Sequence, residues 1–246
     1  MLKENDFSRL ELKLSACRDN YRYFRSLLEP STKLLVLVKA NAYGHGAVEF
    51  ASMMQREGAD YLAVAYPIEG IELRKSGISL PILVLTAGTD YYNEIIDSRL
   101  EPGIPNLYSL KILCGILEKR GITDFPVHIK LDTGMHRLGF MTSELDELTS
   151  FLKTCKFVRV KSIYSHLAAA EDGVETAQKA YDIAAQSYNV GRSTITELND
   201  AQLALTQSKL AVSQSIYEYV VAKSSLEQIL GHDFIDDNGN VDLNNR

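Results

Sequence analysis

The strongest constraint on the fold is a repeated alternation of short apolar runs with segments of helical spacing. Apolar runs recur at residues 34–38, 61–65 and 81–85, and a helix-like pattern follows each of them. Runs without a polar position are typical of strands buried on both faces of a parallel sheet. The alternation therefore predicts βαβ units and an α/β fold.

The same alternation continues to residue 164 and sets the number of strands. A closed barrel of this kind has eight strands, so about six predict an incomplete parallel (β/α) barrel. One further strand, with one wet face, is predicted at 10–14, before a helix that Ser15 would cap. The predicted barrel strands are 34–38, 61–65, 81–85, 100–104, 127–131 and 158–164.

Lys39 directly follows the first of these strands and precedes a glycine-bearing turn. Barrel enzymes carry their reacting groups at the carboxyl ends of the strands. A lysine backed by apolar residues loses its proton more easily than a solvated one, and it can attack a carbonyl to form a Schiff base. On the strand pattern alone, a lysine that ends a strand and points into water is the favoured alternative.

The sequence of residues 38–46, VKANAYGHG, closely resembles the pyridoxal-phosphate lysine motif of bacterial alanine racemases. The resemblance implies that Lys39 is catalytic and holds pyridoxal 5′-phosphate covalently, and that Tyr43 contacts the phosphate of this cofactor. It also implies that Leu85 is a cofactor neighbour, although packing alone explains an apolar residue there equally well.

A second stretch with chemical content is 127–139, VHIKLDTGMHRLG. A cation in a glycine-bearing loop after a strand suits capture of a carboxylate by a planar guanidinium. An ordinary βα loop with solvated charges is the alternative. The resemblance implies that Arg137 binds the substrate carboxylate and that Lys130, often carbamylated in the family, orients Arg137.

Histidines raise two further readings. His166 follows the sixth strand, where it could be an ordinary core histidine. The resemblance instead places it beside the cofactor ring. A metal site of His128, Asp132 and His136 lacks a second cluster of ligands, so no metal is predicted.

The resemblance covers residues 8–170 and implies a pyridoxal-phosphate-dependent alanine racemase, which interconverts L- and D-alanine and supplies cell-wall precursors. Lys39 would remove the α-proton from one face, and a tyrosine from a partner chain would serve the other. The family's later phosphate loops and C-terminal β-domain have no counterpart after residue 170. Because barrel phosphates sit on the loops after strands 7 and 8, impaired activity is expected.

Residues 171–232 change character, since apolar and small side chains recur there at alternating spacings of three and four. This pattern predicts a long antiparallel α-helical hairpin whose second helix has about 36 residues, roughly 54 Å. A capping box of Thr194 and Glu197 would start that helix. Residues 188–202 and 217–231 resemble the last helical hairpin of TolC-like outer-membrane efflux proteins, and a generic coiled-coil hairpin is the alternative.

These patterns predict a truncated barrel over 1–170, a hairpin over 171–232 and a disordered tail over 233–246. The alternative function is that of a structural module which self-associates through the hairpin, or a chimeric chain without function. Residues 171–246 carry 12 acidic and 5 basic side chains, a net charge of −7. Such a balance argues against nucleic-acid binding.

The cellular location of the protein is predicted from two features that the sequence lacks. No run of 18 apolar residues predicts a membrane span, and the charged start lacks the apolar core of a secretory signal. Cys17, Cys114 and Cys155 are odd in number and lie in no metal or redox spacing, so reduced thiols are expected. The sequence therefore predicts a cytoplasmic protein without membrane insertion.

Overall fold

A computed structural model describes residues 11–166 and 168–230 of the 246-residue chain. The described residues form an α/β fold with six strands, and each strand is parallel to those with which its register is given below. They divide into two compact units, 11–103 and 104–230. Each unit is described by itself.

The first unit contains four parallel strands that pair in chain order. Leu62 lies opposite Val36 on one side and Ile82 on the other, which fixes the register of the first three strands. Helices follow the strands, as the alternation predicts. The strands are β1 (Leu35–Leu37), β2 (Tyr61–Val64), β3 (Ile82–Val84) and β4 (Glu101–Ile104). The helical elements are α1 (Leu14–Ser26), α2 (Lys39–Tyr43), α3 (Ala47–Glu57), α4 (Pro67–Lys75) and α5 (Tyr92–Asp97).

The core of the first unit lies between its strands and helices. Leu62, Ile82 and Val84 are fully buried, as expected for strands covered on both faces. Helix α4 comes so close to this core that a Cβ on Gly70 would stand 2.9 Å from Leu100 Cδ1. The apolar runs of the sequence therefore predict the sheet of this unit correctly.

The prediction of a strand at 10–14 is wrong for residues 11–14, which the structure describes. Residues 11–13 are irregular and Leu14 begins α1, while Leu10 lies outside the described residues. Ser15 consequently sits inside α1, and Lys13 occupies the N-cap position. The alternation of apolar and charged residues continues into a helix with one apolar face, which explains why a short window suggested a strand.

The second unit contains one parallel pair, β5 (Phe125–Lys130) and β6 (Val158–Tyr164), whose register shifts between Val127 and His128. The helices of this unit carry buried leucines, among them Leu113, Leu117 and Leu148. The helices of this unit are α6 (Leu107–Lys119), α7 (Leu145–Thr154), α8 (Ala168–Asn189) and α9 (Ile195–Leu230).

Helices α8 and α9 contact each other, and α9 has the 36 residues that the sequence predicts. The predicted capping box is confirmed, since Thr194 N donates to Glu197 Oε2 at 2.7 Å and Glu197 N donates to Thr194 Oγ1 at 3.3 Å. Helix α8 begins at Ala168, earlier than predicted. The domain boundaries at 170 and 232 stay predictions, and the tail over 233–246 lies outside the described residues.

Helix α9 also packs against the rest of its unit. Leu205 and Ala222, which belong to the predicted pattern of apolar and small side chains spaced by three and four, are buried. The helix contacts α7, and the Tyr219 hydroxyl donates to the Ile163 carbonyl at 3.2 Å. The long helix therefore has neighbours in β6 and α7 as well as in α8.

The three cysteines are free thiols, as the sequence predicts. Cys114 and Cys155 are buried with their Sγ atoms 3.2 Å apart. Burial, helped by the neighbouring Cys155, raises the pKa of the Cys114 thiol. Within the described part of the chain, no helix has both the length and the apolar content needed to cross a membrane.

Candidate functional site

Two of the predicted site residues lie at the carboxyl ends of the two strands that flank β2 in the first unit. Lys39 follows β1, and Val38 N donates to the Ala63 carbonyl at 2.8 Å. Leu85 follows β3, and its N–H donates to the Val64 carbonyl at 2.9 Å. Parallel strands present their carboxyl ends on the same edge, which is where barrel enzymes place reacting groups.

The backbone after Lys39 is unusual, because four consecutive residues other than glycine adopt left-handed angles. This conformation costs about 1–2 kcal/mol per residue for a side chain with a Cβ. Strain of this size persists only where the surroundings hold it, and it is typical of functional segments. The residues are Ala40 (φ 51°), Asn41 (54°), Ala42 (50°) and Tyr43 (54°).

Glu69 links this left-handed turn to the neighbouring strand end. Its Oε1 accepts from Ala40 N at 2.6 Å. Its Oε2 accepts from Ala65 N at 2.8 Å and from Tyr66 N at 2.9 Å. One carboxylate thus joins the start of α4, the end of β2 and the residue next to Lys39.

The amine of Lys39 and the phenol of Tyr43 are the reactive groups that this turn presents. Lys39 is half-buried, and its Nζ lies 5.9 Å from the centre of the Tyr43 ring. The Tyr43 side chain is 61% exposed. A nucleophilic amine and a hydroxyl donor therefore stand side by side at the end of β1.

In the second unit, a loop over residues 132–139 carries Arg137. Its base is closed by two backbone bonds, from Asp132 N to the Phe140 carbonyl at 3.0 Å and from Phe140 N to the Lys130 carbonyl at 2.8 Å. Asp132 Oδ1 accepts from Gly134 N and His136 N, at 3.1 and 2.9 Å. The loop therefore has a fixed base and presents an exposed guanidinium.

Lys130 lies under this loop and is buried. Burial lowers its pKa, and the positive charge of Arg137 lowers it further, while Asp132 opposes both effects. The Lys130 Nζ lies 5.3 Å from the centre of the Tyr164 ring, a distance suited to a cation–π contact. The charge of Arg137 therefore acts on Lys130, while the orientation of Arg137 by Lys130 stays a prediction.

Tyr164 is a polar residue that sequence reasoning missed. Its hydroxyl is buried and has no hydrogen-bond partner among the described residues, and burial raises its pKa. Nearby, the hydroxyls of Thr133 and Ser165 lie 2.6 Å apart, and Ser165 Oγ donates to the Leu131 carbonyl at 3.0 Å. These contacts tie the loops after β5 and β6 together.

His166 is exposed and follows β6. The described residues contain no group of three His, Cys, Asp or Glu side chains placed to hold a metal ion, so His128, Asp132 and His136 do not form such a group. His128 instead is buried, with its Nδ1 2.6 Å from Ser162 Oγ. His136 lies beside Asp132, with 3.8 Å between its Nδ1 and Asp132 Oδ2.

Comparison with known proteins places this geometry in a family. The sequence model described as "Alanine racemase, N-terminal domain" matches residues 12–226, which is most of the chain. The chain belongs to the alanine racemase N-terminal domain family. Homologues in this family depend on pyridoxal phosphate.

Curated relatives agree with this assignment. The chain is 41% identical to the alanine racemase of Synechocystis sp. over 165 residues, which are 66% of this chain and 44% of that protein. It is 39% identical to the alanine racemase of Methanococcus maripaludis over 68% of this chain and 45% of that protein. The chain therefore spans less than half the length of these relatives.

Solved structures agree with the racemase family. An alanine racemase from Clostridium difficile 630, in complex with cycloserine, superimposes with a TM-score of 0.61 and 31% identity. The match covers 73% of this chain and 51% of that chain. The alanine racemase from Streptomyces coelicolor A3(2) matches at a TM-score of 0.65 with 22% identity over 87% of this chain and 49% of that one, which shows a shared fold.

The racemase match continues beyond residue 170 and through most of α9. The comparisons accordingly give no support to a fused TolC-like part, to a coiled coil or to a chimeric origin. The TolC-like hairpin remains a prediction from residues 173–232. What the comparisons do support is the alanine racemase N-terminal domain.

Glu69 is the residue at this racemase-type strand edge that sequence reasoning failed to single out. Its signal was present, because Pro67 at the first helical position and an acidic residue two places later mark a helix start. The bond to Ala40 connects residues 29 apart in sequence. No local pattern could have predicted that bond.

Proposed function

We propose that this chain binds pyridoxal 5′-phosphate through Lys39 and serves the interconversion of L- and D-alanine. The single observation that carries the proposal is the strained turn that presents Lys39 at the carboxyl end of β1. Family membership supports it, because the relatives are alanine racemases. We also propose that this chain racemises at a reduced rate, because its matched part spans less than half the length of those relatives.

The chemistry of the residues in the first unit fits this cofactor. The aldehyde of pyridoxal phosphate needs a primary amine, and Lys39 supplies one that forms no ion pair with any described residue. Its phosphate needs hydrogen-bond donors, and the exposed Tyr43 hydroxyl is one. Leu85 offers an apolar neighbour on the same strand edge.

When bound, the cofactor acidifies the α-proton of an attached amino acid by serving as an electron sink. Lys39 Nζ, once unprotonated, can then accept that proton and return it. Lys39 would therefore serve both attachment and proton transfer.

The second unit supplies a group for the substrate carboxylate. Arg137 is exposed on the closed loop, and a guanidinium pairs with a carboxylate through two parallel hydrogen bonds. The charge of Arg137 acts on the buried Lys130, which supports the proposal that Lys130 orients Arg137. His166, exposed after β6, is the further residue that the family resemblance assigns to cofactor binding.

The test is covalent trapping. The full chain is mixed with pyridoxal phosphate, reduced with borohydride and mapped by peptide mass. We expect one labelled lysine, Lys39, and no label at that peptide in Lys39→Ala. The exposed Lys33 provides a matched control, since Lys33→Ala should leave the labelling of Lys39 unchanged.

Label spread over surface lysines, with Lys39 no more reactive than Lys33, would contradict the cofactor site. Formation of D-alanine from L-alanine, followed by chiral chromatography, tests the reaction itself. Loss of that activity in Lys39→Ala is expected. Labelled protein that forms no D-alanine would restrict the proposal to cofactor binding.

A second role, self-association through the long helices, is favoured by exposed apolar residues on α9. Leu203, Leu210 and Tyr217 recur every seven residues, and each is more than half exposed. Residues at this spacing share one helix face, and such a face favours contact with another protein surface. We propose that a second copy of the chain covers it.

Sedimentation velocity over a range of concentrations tests this role. Leu203→Glu with Leu210→Glu should shift the protein to monomer, because two charges would enter the proposed interface. Ala204→Glu with Ala211→Glu adds the same charge to exposed positions a quarter-turn away and should leave association intact. A wild-type chain that is monomeric at every concentration would exclude the role.

A further inference from the structure

We propose that Glu69 is the positioning residue for Lys39, because its carboxylate holds the left-handed turn that presents the lysine amine. This inference rests on the proposed function of Lys39. It adds a residue from a different helix to the machinery. Under this proposal, attachment of the cofactor requires the hydrogen bond that Ala40 N donates to Glu69.

The three hydrogen bonds of Glu69 have separate tasks. Oε2 accepts from Ala65 N and Tyr66 N, which caps the start of α4. A capping role needs nothing more. Oε1 additionally accepts from Ala40 N at 2.6 Å, on the chain segment that leaves β1. That bond serves the turn and not the helix.

The turn needs such an anchor because its conformation is unfavourable. Four residues with a Cβ hold positive φ angles, and each would prefer the right-handed region. Bonds inside the segment, such as Gly44 N to the Ala40 carbonyl at 3.2 Å, tie it to itself. Glu69 ties it to β2 and α4. Since Ala40 follows Lys39 directly, this bond fixes the base of the lysine side chain.

Charge strengthens the anchor. A hydrogen bond to a carboxylate is about twice as strong as one between neutral groups. Glutamine at this position would keep one acceptor oxygen but turn an NH₂ group towards a backbone N–H. Glu69→Gln therefore removes the charge and at least one of the three bonds while keeping the size of the side chain.

The experiment compares Glu69→Gln with Glu72→Gln in the full chain. Glu72 lies on the same helix, is exposed and carries the same charge. Borohydride trapping after addition of pyridoxal phosphate should show a rate of Lys39 labelling about tenfold lower in Glu69→Gln. In Glu72→Gln the rate should stay within about twofold of wild type.

Hydrogen–deuterium exchange supplies a readout that needs no cofactor. Peptides covering residues 39–46 should exchange faster in Glu69→Gln, because the neutral amide weakens or removes the bond from Ala40 N and the turn opens. Peptides from β2 and β3 should stay protected, which shows that the variant is folded. If Glu69→Gln fails to fold, a second variant, Ala40→Gly with Glu69 intact, tests the strain of the turn instead. Glycine adopts the left-handed region without cost, so Lys39 labelling should be kept there.

The outcomes separate the two proposals. Wild-type protein without label at Lys39, but with faster exchange at 39–46 in Glu69→Gln, would retain the positioning role and refute the cofactor site. Wild-type labelling at Lys39 that Glu69→Gln leaves unchanged, with unchanged exchange, would overturn the positioning role. In that case Glu69 would be a helix cap alone. Loss of Lys39 labelling in Ala40→Gly would likewise count against an anchored turn.

Discussion

Replacing Gly139 with alanine is expected to destabilise the protein by about 3 kcal/mol or more. Gly139 has a φ of +131°, which L side chains rarely adopt. A Cβ there would lie 2.5 Å from both Leu131 C and Asp132 N. Both contacts are backbone atoms, so no side-chain rotation can relieve them.

The damage should concentrate on the loop that carries Arg137. To admit a Cβ, the two bonds of Phe140, with Asp132 and with Lys130, would have to break, and the loop would lose its closed base. Urea unfolding gives the loss of stability, and hydrogen exchange over residues 131–140 locates it. The proposed binding of a carboxylate should weaken along with it.

Gly115 is the matched control for this change. It lies inside α6 with a helical backbone, and a Cβ there meets nothing within 4 Å. Gly115→Ala is expected to stabilise the protein by up to about 1 kcal/mol, because alanine favours helices. Equal stability of the two alanine variants would show that the approach of Gly139 to the backbone is not tight.

The sheet could be predicted from the sequence because its signals are local. Runs such as 61–65 contain no polar residue, and their boundaries are marked by proline and glycine. Helix α9 was predicted for the same reason, with its length and its capping box. The strand at 10–14 failed because a five-residue window cannot distinguish alternation from the start of an amphipathic helix.

For the reactive side chains, the sequence predicts which strand ends carry them but not the local backbone that presents them. The sequence placed Lys39 after one strand and Leu85 at the end of another, and in the structure Lys39 follows β1 and Leu85 follows β3. It could not reveal the left-handed turn, since propensity alone opposes positive φ at alanine. The roles assigned to Lys39, Tyr43 and His166 came from resemblance and stay proposals.

Replacing Arg74 with methionine is expected to cost about 3 kcal/mol, because its guanidinium donates to four backbone carbonyls. The bonds run from Nη1 to Ile78 and Leu80, at 2.8 and 2.6 Å, from Nε to Ser98 at 3.2 Å and from Nη2 to Arg99 at 3.1 Å. For a chain of this length the melting temperature should fall by roughly 6–12 °C.

Two further variants, at Lys75 and at Arg74 itself, test whether the geometry of the Arg74 hydrogen bonds matters. Lys75→Met removes an adjacent, exposed charge from the same helix end and should change stability by less than about 0.5 kcal/mol. Arg74→Lys keeps the charge but offers three donors from one point, so it should recover only part of the loss. Full recovery by lysine would mean that charge, and not the planar fork, stabilises the turns before β3 and β4.

Arg74 matters beyond stability because it anchors the end of α4 opposite to Glu69. Glu69 holds the N-terminal end against β2 and the turn of Lys39, while Arg74 holds the C-terminal end against two turns. A helix fixed at both ends can support a strained neighbour that one hydrogen bond alone would not hold. Arg74→Met should therefore also speed hydrogen exchange at residues 39–46, although less than Glu69→Gln does. If exchange there is unchanged, the anchor at Glu69 acts without support from the rest of α4.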